Sequence, residues 1–93
     1  MKIEIYGIPE SLHKCYGCIE ARKLLDEHGL EYEFYSVLKP ANNSVGFDYD
    51  RPRIEELAKR VRSRSMAFTY PRIFVDSNFI GGYMQLKEYL GEA

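Results

Sequence analysis

His13-Lys14-Cys15-Tyr16-Gly17-Cys18-Ile19-Glu20-Ala21-Arg22-Lys23-Leu24-Leu25 carries both cysteines of the chain, three positions apart at the head of a helical pattern. Cys18, Ala21, Leu24 and Leu25 recur on one side of that helix, and Glu20, Lys23, Asp26 and Glu27 on the other. Side chains at a spacing of three have Cβ atoms roughly 5–6 Å apart, so a small backbone adjustment closes a disulfide between them. A thiol does redox work only as thiolate, and a helix start favours negative charge through its unpaired N–H groups and dipole. Lys14 adds a positive charge just before Cys15. The unit points to a redox-active dithiol rather than to two small core residues.

Working outward, Lys2 to Tyr6 alternates polar and apolar, with Ile3 and Ile5 inward, and Gly7-Ile8-Pro9 ends it as a first strand. The helix runs from Cys15 to His28 and stops at Gly29. Tyr32, Phe34 and Tyr35 within 31–38 read as a second strand, so strand, helix and strand form a right-handed crossover with parallel neighbours. Lys39 to Asp50, with Pro40, Asn42, Asn43, Ser44 and Gly46, reads as one long irregular loop of a length that is often functional. Pro52 suits a first helical turn, and Ile54, Leu57, Ala58 and Val61 repeat at helical spacing. Arg72–Val75, the turn Asp76-Ser77-Asn78 and Phe79-Ile80 make a hairpin. Gly81-Gly82 precedes a last helix, Tyr83 to Leu90, that Gly91 stops. The expected order is β-α-β-α-β-β-α, an α/β fold with a four-stranded mixed sheet flanked by helices. A CxxC at its first strand-to-helix turn is the thioredoxin-like signature.

The 93 residues are read as one domain, 1–93, with room for one modest core. A net charge of −1 gives no global pull toward nucleic acid or membrane. Glu4 interrupts the only apolar stretch at the start, which argues against a signal peptide, and no run approaches membrane-spanning length. Two cysteines in one redox-type unit suit a reducing, cytoplasmic compartment.

Three segments resemble the glutaredoxin family, and within it the small dithiol glutaredoxins of T-even-type bacteriophages. They are Leu12-His13-Lys14-Cys15-Tyr16-Gly17-Cys18, then Thr69-Tyr70-Pro71-Arg72-Ile73-Phe74-Val75, then Ile80-Gly81-Gly82-Tyr83 followed by Gln85-Leu86 and Glu88-Tyr89. Gly46-Phe47-Asp48 extends the likeness, which spans nearly the whole chain in order. The resemblance implies a thioredoxin fold with Cys15 as exposed nucleophile and Cys18 as resolving thiol. It implies a cis Pro71 facing the disulfide, with the Tyr70 backbone free to pair with substrate. Glutathione would bind as co-substrate rather than resident cofactor, with Lys14 near its glycine carboxylate and Gly82 and the last helix near its γ-glutamyl end. Tyr16, Tyr70 and Tyr83 would line the groove. The family also implies reduction of protein disulfides, such as that of ribonucleotide reductase, with recycling by glutathione or a thioredoxin reductase; a monomer is expected. Met84 and Gln85 stand where many members carry a polar cap, and Tyr16-Gly17 replaces the common Pro-Tyr between the cysteines.

The rest of the chain reads plainly. His13 is a solvated loop histidine and His28 a cation at a helix C-terminus. The two lie too far apart to close a metal site with the cysteines. Lys59-Arg60-Val61-Arg62-Ser63-Arg64 reads as a solvated helix face. The eight tyrosines are scattered rather than gathered into a nucleic-acid platform, and Tyr32, Tyr35 and Tyr89 read as core or rim. Two rival functions stand beside the redox enzyme: an iron–sulfur carrier that shares a cluster through Cys15 and glutathione, and a non-catalytic binding subunit.

Overall fold

The computed structural model describes residues 1–91; residues 92 and 93, the last of the expected domain, lie outside them. Strand β1 (Ile3–Gly7), helix α1 (Tyr16–Glu27) and strand β2 (Glu33–Ser36) form the expected crossover, with β1 and β2 parallel and Ile5 opposite Phe34. Cys15 caps the start of α1 and His28 its end, and Gly29 leaves the helix at a φ of 66°. That left-handed backbone is open to glycine at little cost. Next come β3 (Leu38–Pro40), β4 (Phe47–Tyr49), α2 (Arg51–Val61), β5 (Arg72–Val75), β6 (Asn78–Gly81) and α3 (Tyr83–Tyr89). The four-stranded sheet runs β2-β1-β5-β6, with β5 antiparallel to both neighbours.

Residues 39–50 are not the irregular loop expected. Leu38–Pro40 and Phe47–Tyr49 pair as an antiparallel hairpin, Leu38 opposite Tyr49 and Pro40 opposite Phe47. Its turn is organised by one side chain: Asn43 Oδ1 accepts from the N–H groups of Val45 and Gly46, and Asn43 Nδ2 donates to the Phe47 carbonyl. Such Asx geometry replaces backbone hydrogen bonds with a side chain, so the strands lack the β-branched run that would announce them.

The first strand also departs from a half-buried reading, because both faces of the sheet are covered. Ile3, Ile5, Ile73 and Val75 pack under α1 and α3 with Ala21, Leu24, Leu25 and Leu86. Tyr6 and Phe74, on the opposite face, pack with Val37, Leu38, Ile54 and Leu57 beneath α2. Tyr32 and Tyr35 are half-buried, while Tyr89 is 50% exposed.

Arg60 is likewise no part of a solvated face. Its guanidinium grips Glu4 through two bonds, Nη2 to Oε1 at 2.9 Å and Nη1 to Oε2 at 3.0 Å. It also donates to the Tyr6 hydroxyl and lies 3.9 Å from the Phe74 ring centroid. Tyr35 donates to Glu4, and Tyr6 to Glu56. Glu4 is buried at 5% exposure, so its charge persists only because of these partners. The Arg60 hydrogen bonds hold its carboxyl below the ordinary value; burial opposes them, and Tyr35 and the guanidinium charge add to them.

A native value below the unfolded one gives stability that is fully present above about pH 5 and is lost as pH falls through the native value. The urea midpoint is therefore expected to fall between about pH 5 and 3, and to fall less in Glu4→Gln. Equal pH slopes in the two proteins would remove Glu4 as the cause.

Candidate redox site at the start of helix α1

β1 ends at Gly7 beside the head of α1, and the cysteine pair sits at that junction. Cys15 and Cys18 form a disulfide with their Cα atoms 5.3 Å apart. Cys15 is half-exposed and is the N-cap of α1; its Sγ lies 3.3 Å from the Cys18 N–H, which donates to it. Cys18 is buried, at 1% exposure, and its Sγ accepts from the Ile8 N–H at 3.4 Å. One sulfur is therefore offered to solvent at a helix start, and the other is held behind it.

Opposite the pair, the Tyr70–Pro71 peptide is cis, as the resemblance implies, and the Tyr70 carbonyl oxygen lies 3.7 Å from Cys15 Sγ. A Cβ on residue 17 would stand 2.9 Å from Pro71 Cδ and 3.6 Å from the Tyr70 carbonyl, so Gly17 lets the dithiol turn lie against this loop. Gly82 completes that side, since a Cβ there would be 3.4 Å from the Pro71 carbonyl. Its N–H donates to Gln85 Oε1 at 2.9 Å. The carboxamide of Gln85 thus caps the start of α3 from within the helix.

Lys14 and Tyr16 are exposed at the rim, with Lys14 Nζ 4.9 Å from the Tyr16 ring centroid and Tyr16 70% exposed. Tyr70 is half-buried, and burial pushes its hydroxyl up from its ordinary value. Tyr83 instead packs down onto the core beneath α1 and α3, with Lys87 over its ring. Cys15, Cys18, Tyr70, Pro71 and Gly82 are brought together, Lys14 and Tyr16 flank them, and Tyr83 lies to one side. His13 is exposed, with its ring 5.8 Å from that of Phe47, which ties the loop before Cys15 to the β3–β4 hairpin. Among the described residues no three His, Cys, Asp or Glu side chains converge on one point.

In the sequence Gly7 reads only as the end of a strand. A Cβ there would lie 3.2 Å from Cys18 Sγ and 3.0 Å from Phe34 Cε2, so the missing side chain is what seats the buried sulfur. A glycine closing the strand just before a CxxC was the available signal. Gly7→Val is expected to cost about 2 kcal/mol by overpacking, lowering the melting temperature by roughly 8–16 °C. Thermal unfolding of the oxidised protein measures this, and an unchanged midpoint would show that the site has slack.

A dithiol at the end of an inner strand takes up and returns two electrons as its disulfide opens and closes. With this sheet around it, the chain is a thiol-disulfide oxidoreductase of thioredoxin-like fold. Residues 3–80 match the glutaredoxin family, and the chain belongs to it. It is 40% identical over 89 residues to an uncharacterized 11.8 kDa protein of enterobacteria phage T4, covering 96% of this chain and 84% of that one. It is 32% identical over 87 residues to the glutaredoxin of the same phage, covering 92% and 95%. Among solved structures, glutaredoxin 1 from Francisella tularensis superposes with a TM-score of 0.64 at 20% identity, over 97% of this chain and 92% of that one. A buckwheat glutaredoxin–glutathione complex gives 0.61 at 21% identity, over 97% and 70%. These two show the shared fold. No helix among the described residues is long and apolar enough to cross a membrane.

Proposed function

We propose that the chain reduces protein disulfides by a dithiol mechanism, with Cys15 attacking and Cys18 resolving. The unequal setting of the two sulfurs supports this reading: Cys15 half-exposed at the helix N-cap, Cys18 buried beneath the Ile8 N–H. In the reduced protein, the helix start favours the Cys15 thiolate. That thiolate attacks one sulfur of the substrate disulfide, forms a mixed disulfide and expels the other sulfur as thiolate. Cys18, giving up its proton, then attacks Cys15 Sγ and expels the second substrate thiolate. Two electrons have passed to the substrate, its thiolates take protons from solvent, and Cys15–Cys18 is left as the disulfide.

Glutathione is the proposed co-substrate that returns the pair to the dithiol, bound along Lys14, Tyr16, Tyr70, Pro71, Gly82 and Tyr83. The family and the buckwheat relative solved with glutathione support this. At Gly82 a glutathione carboxylate would compete with the Gln85 carboxamide already bonded to that N–H. Ribonucleotide reductase is the proposed client and thioredoxin reductase the second donor, both on the likeness to the phage glutaredoxin. We place this activity in a cytoplasmic monomer with residues 1–93 as one domain.

The test is NADPH consumption with glutathione, glutathione reductase and hydroxyethyl disulfide, repeated with thioredoxin reductase as the donor. Sustained turnover with glutathione is expected. Turnover with thioredoxin reductase alone would move recycling to that enzyme, and none with either would end the catalytic reading.

A further inference from the structure

A second feature opens beside the redox site. Tyr49, Ile54, Met66, Ala67, Phe68 and Tyr70, with Arg51 also lining it, surround a cleft of about 400 Å³ between the β3–β4 hairpin, the first turn of α2 and the segment leading into Pro71. Tyr49 is 63% exposed at its mouth, and the rings of Phe68 and Tyr70 lie 6.5 Å apart along one wall. Tyr70 belongs to both places, since it lines the cleft while its carbonyl oxygen is 3.7 Å from Cys15 Sγ. The cleft thus adjoins the redox site through this one residue.

We propose that this cleft receives a large apolar side chain flanking the attacked cysteine of a protein disulfide, and so selects among protein substrates. The inference rests on the redox reading above and names a substrate class for it. A segment bonded to Cys15 runs past the Thr69–Tyr70 backbone; among the described residues no backbone carbonyl accepts from the Tyr70 N–H. An extended chain advances about 3.3 Å per residue, so a side chain one or two positions from the substrate cysteine reaches past the Tyr70 ring. There it leaves water for an aromatic and aliphatic lining, a gain that grows with the apolar area covered. Arg51, exposed at the cleft, favours a carboxylate on the same segment. Small disulfides end at Cys15 and do not reach the cleft.

The experiment mixes pre-reduced protein with one disulfide at a time and follows a single turnover by acid quench, so the recycling route plays no part. Three disulfides are compared: hydroxyethyl disulfide, and two cyclic peptides that differ only in carrying Phe-Glu or Ser-Ser beside each cysteine. The Phe-Glu peptide is expected to react about tenfold faster than the Ser-Ser one. Ala67→Trp, which fills the cleft, and Tyr49→Ser, which removes an exposed wall, are expected to abolish that ratio while leaving the hydroxyethyl disulfide rate within twofold. Equal peptide rates in the wild type, or a ratio that survives in both variants, overturns the inference. So does an equal loss on all three disulfides, which would make the variants structural. Failure of the wild type to reduce any of the three sinks the redox reading and this one with it.

Discussion

Serine at position 15 is expected to lower disulfide reduction at least about a thousandfold, to the background of the assay, corresponding to 4 kcal/mol or more of activation free energy. A serine hydroxyl at the α1 N-cap can still accept the Cys18 N–H, so the fold is kept. It cannot become a sulfur nucleophile, and no mixed disulfide forms. Cys18→Ser is expected to behave differently. Its Cys15 attacks as before, but the buried partner that would release the product is gone. Protein disulfides should then stall as covalent complexes that survive non-reducing electrophoresis and dissolve with dithiothreitol. Small glutathione mixed disulfides, which a second glutathione resolves, should still turn over. The reverse pattern, stalling in Cys15→Ser and background in Cys18→Ser, would exchange the two roles and contradict the exposure difference between the sulfurs.

Arg60→Leu is expected to destabilise the protein by about 3 kcal/mol, and to lower its melting temperature by roughly 12–24 °C. The side chains of Arg60 and Glu4 are 24% and 7% exposed, so removing the guanidinium leaves a carboxylate that water barely reaches. The cost is that stranded charge rather than the worth of the pair. Glu4→Leu combined with Arg60→Leu should therefore recover most of the loss, because two apolar side chains then meet on a sheet face already lined by Tyr6 and Phe74. Thermal unfolding of the two single variants and the double variant makes a complete cycle. A single Arg60→Leu that melts within about 3 °C of the wild type would mean that Glu4 finds water or another donor.

The two cases show why some of the molecule could be read from its sequence. The dithiol, its helix and the crossover into β2 are local: three positions set the disulfide, apolar spacing sets the helix, and Gly29 ends it. The hairpin of β5 and β6 was likewise visible from its own turn. Glu4 and Arg60 stand 56 positions apart, and nothing in either neighbourhood announces that α2 will lay one on the other. Charge clusters look solvated until a partner is known. The β3–β4 hairpin escaped for a different reason, because Asn43 does with its side chain what strand formers do with backbone and packing. The site shows the same division. Cys15, Cys18, Gly17 and the Pro71 loop followed from motifs, whereas the seat that Gly7 makes for Cys18 appeared only in three dimensions. The cleft at Tyr49 and Phe68 needed the hairpin to be in place.

The pairing of β1 bears on how this chain is made. β1 leaves the ribosome before its strand partners, and its parallel partner β2 follows within about 30 residues. Its other partner is β5, with Ile3 opposite Val75 and Ile5 opposite Ile73. Until that segment has been synthesised, β1 has one bare edge and one core lacks Ile73 and Val75. Pairings this far apart in sequence slow folding, and bare edges invite association between chains. A nascent chain halted before residue 72 should therefore resist compaction, and one extended past β6 should acquire protease protection in a single step.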